Sequence, residues 1–440
     1  MSNFLKLIAW VMLLLCSNAI YADNGTNTRL LTIDEVFNLA ENNSASLKSS
    51  KVAAEVAEAS ISNAKAELLP DINASLSLSY LGNGHLWDRD FKNGMSIGMP
   101  HFGNNFAIKA SQAIYTGGAL SSKVKLSRQG HQMATHQVEN TRNSMRFMLI
   151  GYYLQLAMLE NRINVYDANI KLTESVLSQM QVRYKEGVVL KNDITRYELQ
   201  LESQKLQRER IADNRKIINH RLATAIGLPA DTKIVPDTTI ISRLPKTHGE
   251  AEWQNLALLN SPTLKMSTLN IGMKQTEERL AKSELLPKVA LFAENHLDGP
   301  ITIEVPTLNN NFNYWLVGVS ISYNISSLFK SNKKIRQAYI STRKAQQDLT
   351  LAQEQVENNV QAAYTNFLTS FTDLNTQTKS VELANQNYDV VSNRYHNGLA
   401  LITDMTDAAT MKLQSELALV DSRINVIYCY YSLKFAAGKI

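Results

Sequence analysis

The chain has 440 residues, 44% of them hydrophobic and 19% charged, with 45 Lys and Arg against 40 Asp and Glu. That is ample for a large folded unit, and without a Lys/Arg cluster the formal net charge of +5 lends nucleic-acid binding no support. Two cysteines, Cys16 and Cys429, exclude a disulfide framework.

Residues 1–22 carry Lys6, an apolar core from Leu7 to Leu15, and small or polar residues ending at Ala19 or Ala22. This is the pattern of a secretory signal peptide cleaved after one of those alanines. The apolar core is shorter than the 18–20 or so residues a membrane-crossing helix needs. Cys16 follows Leu15 rather than a small residue, which argues against a lipid-anchored cysteine. Cleavage leaves Cys429 as the one cysteine, so no intramolecular disulfide can form.

Thr32-Ile33-Asp34-Glu35 is a capping-box sequence and opens a helix expected to run to Leu69, where Pro70 stops it. A second copy of this segment follows 217 residues later. Asn38-Leu39-Ala40 matches Asn255-Leu256-Ala257, and Ala64-Lys65-Ala66-Glu67-Leu68-Leu69-Pro70 matches Ala281-Lys282-Ser283-Glu284-Leu285-Leu286-Pro287. After each proline the apolar period changes to two. Ile72, Ala74, Leu76, Leu78 and Tyr80 alternate with Asn73, Ser75, Ser77 and Ser79, and a polar loop covers Gly82 to Asn105. Alternation resumes at Phe106, Ile108, Ala110, Gln112 and Ile114 up to Thr116-Gly117-Gly118. Strands are expected at about 71–82, 104–116, 288–298 and 312–324. Pairs of strands about 10 residues long, joined by a long loop, suit a membrane-spanning β-hairpin; a solvent-exposed hairpin shows the same alternation.

From Ala119 to Tyr184 and from Leu328 to Tyr395 there is no proline, and the two stretches predict helices of roughly 100 Å. Leu149, Tyr152, Leu156, Leu159, Ile163, Tyr166, Ile170, Leu177, Met180 and Tyr184 recur at steps of three and four, with Thr173 the one polar residue in register. Val360, Ala363, Phe367, Leu374, Val381, Ala384, Tyr388, Val391 and Tyr395 repeat the stripe 211 residues on, interrupted by Ser370 and Gln377. A repeat of 3.5 residues over five heptads is a coiled-coil seam. Each helix breaks at a glycine, in Arg183-Tyr184-Lys185-Glu186-Gly187 and Arg394-Tyr395-His396-Asn397-Gly398, and a new helix starts near Asp193 and near Asp404. The mature chain thus reads as one unit of two repeats, about 30–228 and 250–440, joined by the Pro-rich segment 229–249. Within that segment Thr238 to Ile241 is a short apolar run.

No nucleophile elbow, phosphate loop, redox pair or metal cluster is present, so no catalysis and no cofactor are expected. His131 and His136 are five apart, off the i,i+4 spacing of shared metal ligands. Asp404 and Asp407, three apart at a helix start, share a face. Either Asp193 and Asp404 serve as helix caps, favoured there by the unpaired N–H groups and the dipole, or Asp404 and Asp407 face a lumen as part of an acidic ring.

Leu-Leu-Pro before a strand in both halves, Arg-Tyr-x-x-Gly followed six residues later by Asp, and the duplicated helix, hairpin, long helix, turn, helix order resemble the TolC-like outer-membrane efflux channel family. The resemblance covers about Leu30 to Ile440. It implies a mainly α fold with a membrane β-barrel: a homotrimer whose helices form an α-barrel through the periplasm of a Gram-negative envelope. Each chain would give four strands to one 12-stranded barrel held by outer-membrane lipid, and segment 229–249 would join a belt around the helices. It further implies a passive duct for small molecules, fed by an inner-membrane transporter through a periplasmic membrane-fusion adaptor. Protein secretion through a duct of the same kind is the alternative. A secreted coiled coil would explain the heptads but not the twin hairpins, and an adaptor would lack the whole-chain duplication. By the same resemblance Asp404 and Asp407 are the lumen gate. Arg183, Tyr184, Gly187, Asp193, Arg394, Tyr395 and Gly398 form the periplasmic turns, their closing lock and the adaptor contact, with Tyr395 and Asp193 as a hydrogen-bonding pair. Ala400 stands where some members have an arginine, and Lys191 lies near the first turn.

Overall fold

The computed structural model describes residues 28–440 apart from 238, 240–243, 247 and 305–306. The expected signal peptide and most of the Thr238–Ile241 run lie outside those residues. In chain order the elements are β1 (Thr28–Leu31), α1 (Ile33–Asn43), α2 (Ala45–Ala66), β2 (Asp71–Tyr80), β3 (Gly84–Leu86), β4 (Met95–Ile97), β5 (Phe102–Tyr115) and α3 (Ala119–Lys185). There follow α4 (Lys191–Ile226), β6 (Lys233–Pro236), α5 (Glu250–Asn260), α6 (Pro262–Ser283), β7 (Lys288–Gly299), β8 (Phe312–Ser322), α7 (Ser327–His396) and α8 (Ile402–Ala436). The described residues form two compact units, each drawing segments from both halves of the sequence: one of 28–44, 148–245 and 370–428, the other of 45–147, 246–369 and 429–440.

Thr32 and Glu35 form the expected capping box at the start of α1: the Thr32 hydroxyl accepts from the Glu35 amide, and the Glu35 carboxylate accepts from the Thr32 amide at 2.8 Å. The bond from the Thr32 amide, together with one that the Thr32 hydroxyl donates at 3.1 Å, holds the Glu35 carboxyl below its usual range. The helix expected to continue to Leu69 is two helices. It breaks at Ser44, in extended backbone, where Asn42 and Asn43 are poor helix formers and the Asn43 amide donates to the Ile226 carbonyl at 3.1 Å. The second copy breaks at the matching Ser261, and there the cause is explicit: Pro262 disfavours helical backbone at the residue before it. The loop expected from Gly82 to Asn105 contains a short hairpin, β3 with β4, and its last four residues already belong to β5.

In the first unit, β1 pairs in parallel with β6, so the segment joining the two halves is hydrogen-bonded to the start of the described chain. Asn219 of α4 fixes β6 by donating to the Thr232 carbonyl at 2.7 Å and accepting from the Ile234 amide at 2.8 Å. Tyr153 of α3, 1% exposed, donates its hydroxyl hydrogen to the Leu31 carbonyl and accepts from the Asp237 amide, both at 2.8 Å.

The second unit holds a four-stranded antiparallel sheet in the order β2-β5-β7-β8, in which β5 with β7 pairs the two hairpins. Register across it separates two faces. Ile72, Ala110, Ala293 and Val317 lie in one row, and Ala74, Ile108, Asn295 and Trp315 in the next on the same side. The other side carries Asn73, Lys109, Glu294 and Leu316, then Ser75, Ala107, His296 and Tyr314. The aromatics at the start of β8 therefore part: Trp315 joins the apolar face, while Tyr314 stacks on His296 at 5.0 Å on the polar one. Both faces are open. All of β2 is exposed, and Ile72, Leu76, Val317, Val319 and Ile321 each keep over 60% of their surface.

The α7 stripe coincides with its buried residues: Val360, Ala363, Phe367, Ser370, Leu374, Tyr388 and Tyr395. That of α3 does so only in part. Near its middle it is buried broadly, at Leu149, Ile150, Tyr153, Leu154, Leu156, Ala157 and Leu159; further on the buried line runs Asn169, Thr173, Val176, Met180. Tyr184 is exposed. Polar Asn169 and Thr173 occupy this seam because they are bonded there, Asn169 to Glu416 at 2.7 Å and Thr173 to Gln204 at 3.0 Å. Among the described residues no helix is long and apolar enough to cross a membrane.

Tyr153→Phe is expected to cost about 1–2 kcal/mol, since Leu31 and Asp237 keep their mutual bond at 3.2 Å but lose the hydroxyl. The readout is a lowered thermal midpoint by circular dichroism; an unchanged midpoint would show that the hydroxyl makes no net contribution.

Candidate functional site: the paired helix turns

The two Arg-Tyr-x-x-Gly sequences make the same turn. Gly187 has φ +78° and Gly398 φ +72°, left-handed values that an L side chain rarely adopts. The Gly187 amide donates to the Tyr184 carbonyl and the Val188 amide to the Arg183 carbonyl, both at 3.0 Å. The Gly398 amide donates to Tyr395 at 3.0 Å and the Leu399 amide to Arg394 at 2.8 Å. This is the Schellman motif, which satisfies helix-end carbonyls before the chain reverses. The space beside both glycines is open, so the backbone angle, and not crowding, demands the residue.

The turns enclose one apolar cluster. Val176 and Met180 of α3, Val189, Ile194 and Tyr197 of α4, Tyr388 and Tyr395 of α7, and Ile402, Met405, Ala408 and Ala409 of α8 are all buried in it. Burial of its larger members stabilises by about 1.5–3 kcal/mol each, and this packing brings the two turns together. Ala400 packs against the same cluster. Lys191 is exposed and forms none of the ion pairs at this end.

The expected site residues fall on two sides of the cluster. Arg183 is half-buried; its guanidinium lies 5.7 Å from the centre of the Tyr395 ring and donates to the Tyr395 carbonyl at 3.3 Å. Arg394 is exposed and donates to the Leu399 carbonyl at 3.4 Å. Tyr184 is exposed and contributes its carbonyl to the turn. Tyr395 is 8% exposed, and among the described residues its hydroxyl has no hydrogen-bond partner. The expected hydrogen bond from Tyr395 to Asp193 is thus not made in this structure. Burial first, then the Asp193 carboxylate, pushes the Tyr395 phenol up against the opposing pull of Arg183. Burial does the same to Tyr197 and Tyr388. All three phenols therefore stay neutral at physiological pH.

Asp193 is the third residue of α4, whose N-cap, Leu190, has no side-chain cap bond. Asp404 is the third residue of α8 rather than its cap, and its carboxylate accepts from the Leu401 amide at 3.1 Å, as a carboxylate in a helix's first turn does. Both Asp404 and Asp407 are exposed, and among the described residues neither forms an ion pair. Among the described residues no group of three His, Cys, Asp or Glu is placed to hold a metal ion.

Val188 and Leu190 at the first turn, and Leu399 and Leu401 at the second, keep 62–70% of their surface exposed. Sequence reasoning passed over them, although their repetition at the 211-residue offset just past each turn glycine was the signal.

The sequence profile described as outer membrane efflux protein matches residues 36–228 and 253–439, nearly the whole described chain. The chain belongs to the outer membrane efflux protein family. It is similar to TolC of Escherichia coli (strain K12), 24% identical over 199 residues, 43% of this chain and 39% of that protein. An uncharacterised protein of Haemophilus influenzae is 21% identical over 310 residues, 70% of this chain and 67% of its own. In fold it is similar to the outer membrane protein VceC of Vibrio cholerae, with a TM-score of 0.77 at 15% identity over 92% of this chain and 96% of the other. The fold is that of the TolC-like channels, and the family is one of outer-membrane efflux channels, not enzymes. Membership places the chain in the outer membrane, extending into the periplasm.

Gly398→Ala or Gly187→Ala is expected to destabilise the turns by about 1–2 kcal/mol through the left-handed angle. Gly130→Ala, inside α3 with open space beside it, is expected to be neutral or stabilising. Thermal melts of the three variants check the contrast; equal effects would show that the turn angle is not what the glycines supply.

Proposed function

We propose that three copies of this chain form one outer-membrane exit duct for small molecules. Each copy gives β2, β5, β7 and β8 to a 12-stranded barrel, and α3, α4, α7 and α8 to a helical barrel in the periplasm. The observation that carries this reading is the sheet. It has a mainly apolar face, broken by Asn295 and Gln112, a mainly polar opposite face, and edge strands β2 and β8 whose outer edges pair with no other strand among the described residues. An apolar face of this extent suits lipid, the polar face suits a water-filled lumen, and closure on further copies satisfies both edges.

The paired turns are the periplasmic end. Asp404 and Asp407, exposed on one face of α8, would form an acidic ring with their symmetry mates, and the exposed Val188, Leu190, Leu399 and Leu401 would dock a periplasmic adaptor. A tube of this kind needs no chemistry of its own; an inner-membrane transporter would supply both energy and cargo choice. Opening would splay helices that the tip cluster holds packed, a change between two discrete arrangements.

Recording from the purified protein in planar bilayers tests this. Ion conduction with cation preference is expected, and Asp407→Ala alone or with Asp404→Ala is expected to weaken that preference and block by divalent cations. Asp407 is the cleaner probe, since Asp404 also serves its helix start. Unchanged selectivity in the double variant would remove the acidic ring, and absence of conduction would remove the duct.

A further inference from the structure

Where the strands of the sheet give way to the long helices, a cavity of about 540 Å³ lies at the foot of β7 and β8. Lys288 of β7, Ser322 of β8, Asn324, and Ser327 and Lys330 of α7 line it, and so does Glu284. Lys288 pairs with Ser322, and register puts both on the polar face of the sheet. Ser327, the first residue of α7, is 4% exposed, and among the described residues its hydroxyl has no hydrogen-bond partner. Buried polar groups are as a rule paired, so this one calls for a partner from outside the chain.

The charge around the cavity is one-sided. The Glu284 carboxylate is already taken up, by the Lys334 ammonium and by the Ser331 hydroxyl at 3.4 Å. Lys288 and Lys330 are exposed, and among the described residues neither forms an ion pair. Residues 327–336 hold Lys330, Lys333, Lys334 and Arg336 and no Asp or Glu. The positive end of a helix dipole disfavours cations there, so helix stability does not account for them.

We propose that this cavity binds a phosphate group. Lys288 and Lys330 supply two point charges, and the Ser327 hydroxyl supplies a buried donor. Asn324 adds an amide: its Oδ1 accepts from the Ser326 amide at 3.1 Å, which leaves its N–H groups for another acceptor. The opening amides of α7 take no part. Those of Ser327, Leu328, Phe329 and Lys330 already donate to the carbonyls of Asn324, Ile325 and Ser326, and the helix contributes its dipole instead. A tetrahedral anion with several acceptor oxygens suits this spread of donors better than the two oxygens of a carboxylate do. The group is carried either by a soluble phosphate ester or, at the foot of a membrane sheet, by a phospholipid headgroup. The site lies within one chain and does not depend on the duct reading.

The full chain, purified in a nonionic detergent, tests this. Titration calorimetry with inorganic phosphate is expected to show saturable binding. Lys288→Gln or Lys330→Gln is expected to weaken it roughly tenfold, each removing one charged hydrogen bond. Ser327→Ala is expected to weaken it several-fold without lowering the thermal midpoint in the absence of phosphate, because that hydroxyl bonds to nothing in the empty fold. Arg336→Gln, on the same helix but outside the cavity, is expected to leave binding unchanged. Native mass spectrometry with added phosphatidylglycerol identifies the source. Lipid retained by the wild type, lost in the lysine variants and displaced by inorganic phosphate supports a headgroup site. Binding of inorganic phosphate with no lipid retained supports a site for a soluble ester. Binding of neither probe, binding untouched by the lysine variants, equal weakening by Arg336→Gln, or Ser327→Ala binding as the wild type does would overturn the proposal.

Discussion

Backbone hydrogen bonding at the edges of the β2-β5-β7-β8 sheet is the constraint on which the rest depends. Two edge strands present rows of N–H and C=O groups, and one face carries Ile72, Leu76, Val317, Val319 and Ile321 outward. In water that combination invites aggregation. In a bilayer it is untenable unless every backbone group is paired, because unsatisfied groups cost several kcal/mol each in hydrocarbon. Closure of the sheet on copies of itself answers both demands. Duplication serves the same end: two hairpins already paired through β5 and β7 leave fewer edges to be joined between chains.

The same economy of partners governs the helical part. The long helices carry no membrane-crossing apolar run, and their seams admit Asn169, Thr173 and Gln204 because each finds a polar partner there. At the end of the helices, the left-handed glycines 187 and 398 close both chain reversals with the same pair of hydrogen bonds, so two sequences 211 residues apart give one tip. The tip is then apolar inside, at Met180, Tyr197 and Met405, and polar where its two sides touch, at Gln179, Arg183 and His396.

Much of this was legible in the residues, for physical reasons that can be named. Leu-Leu-Pro before an alternating run, the capping box at Thr32, and glycine after Arg-Tyr each depend on local backbone chemistry, and local chemistry is written in adjacent residues. Ser44 shows the limit. Nothing as strong as Pro262 marks the first break, and only the Asn43 contact with Ile226, 183 residues away, accounts for it in space. The stripe on α3 misled toward Tyr184 because a heptad reading assumes one partner seam, whereas α3 is buried broadly near Tyr153 and, from Asn169 on, along a line that meets the stripe only at Thr173 and Met180. Gln179 and His396 could not be read at all, since an exposed Gln and an exposed His become a contact only when two distant helices are set side by side.

Closure of the sheet by three chains is most directly tested by chemical crosslinking of urea-washed envelope membranes, with the outer membrane separated by density. A crosslinked trimer retained in the outer-membrane fraction is the expected result. A monomer or dimer released by urea would contradict it, because a sheet not closed into a barrel has no means of staying in the membrane.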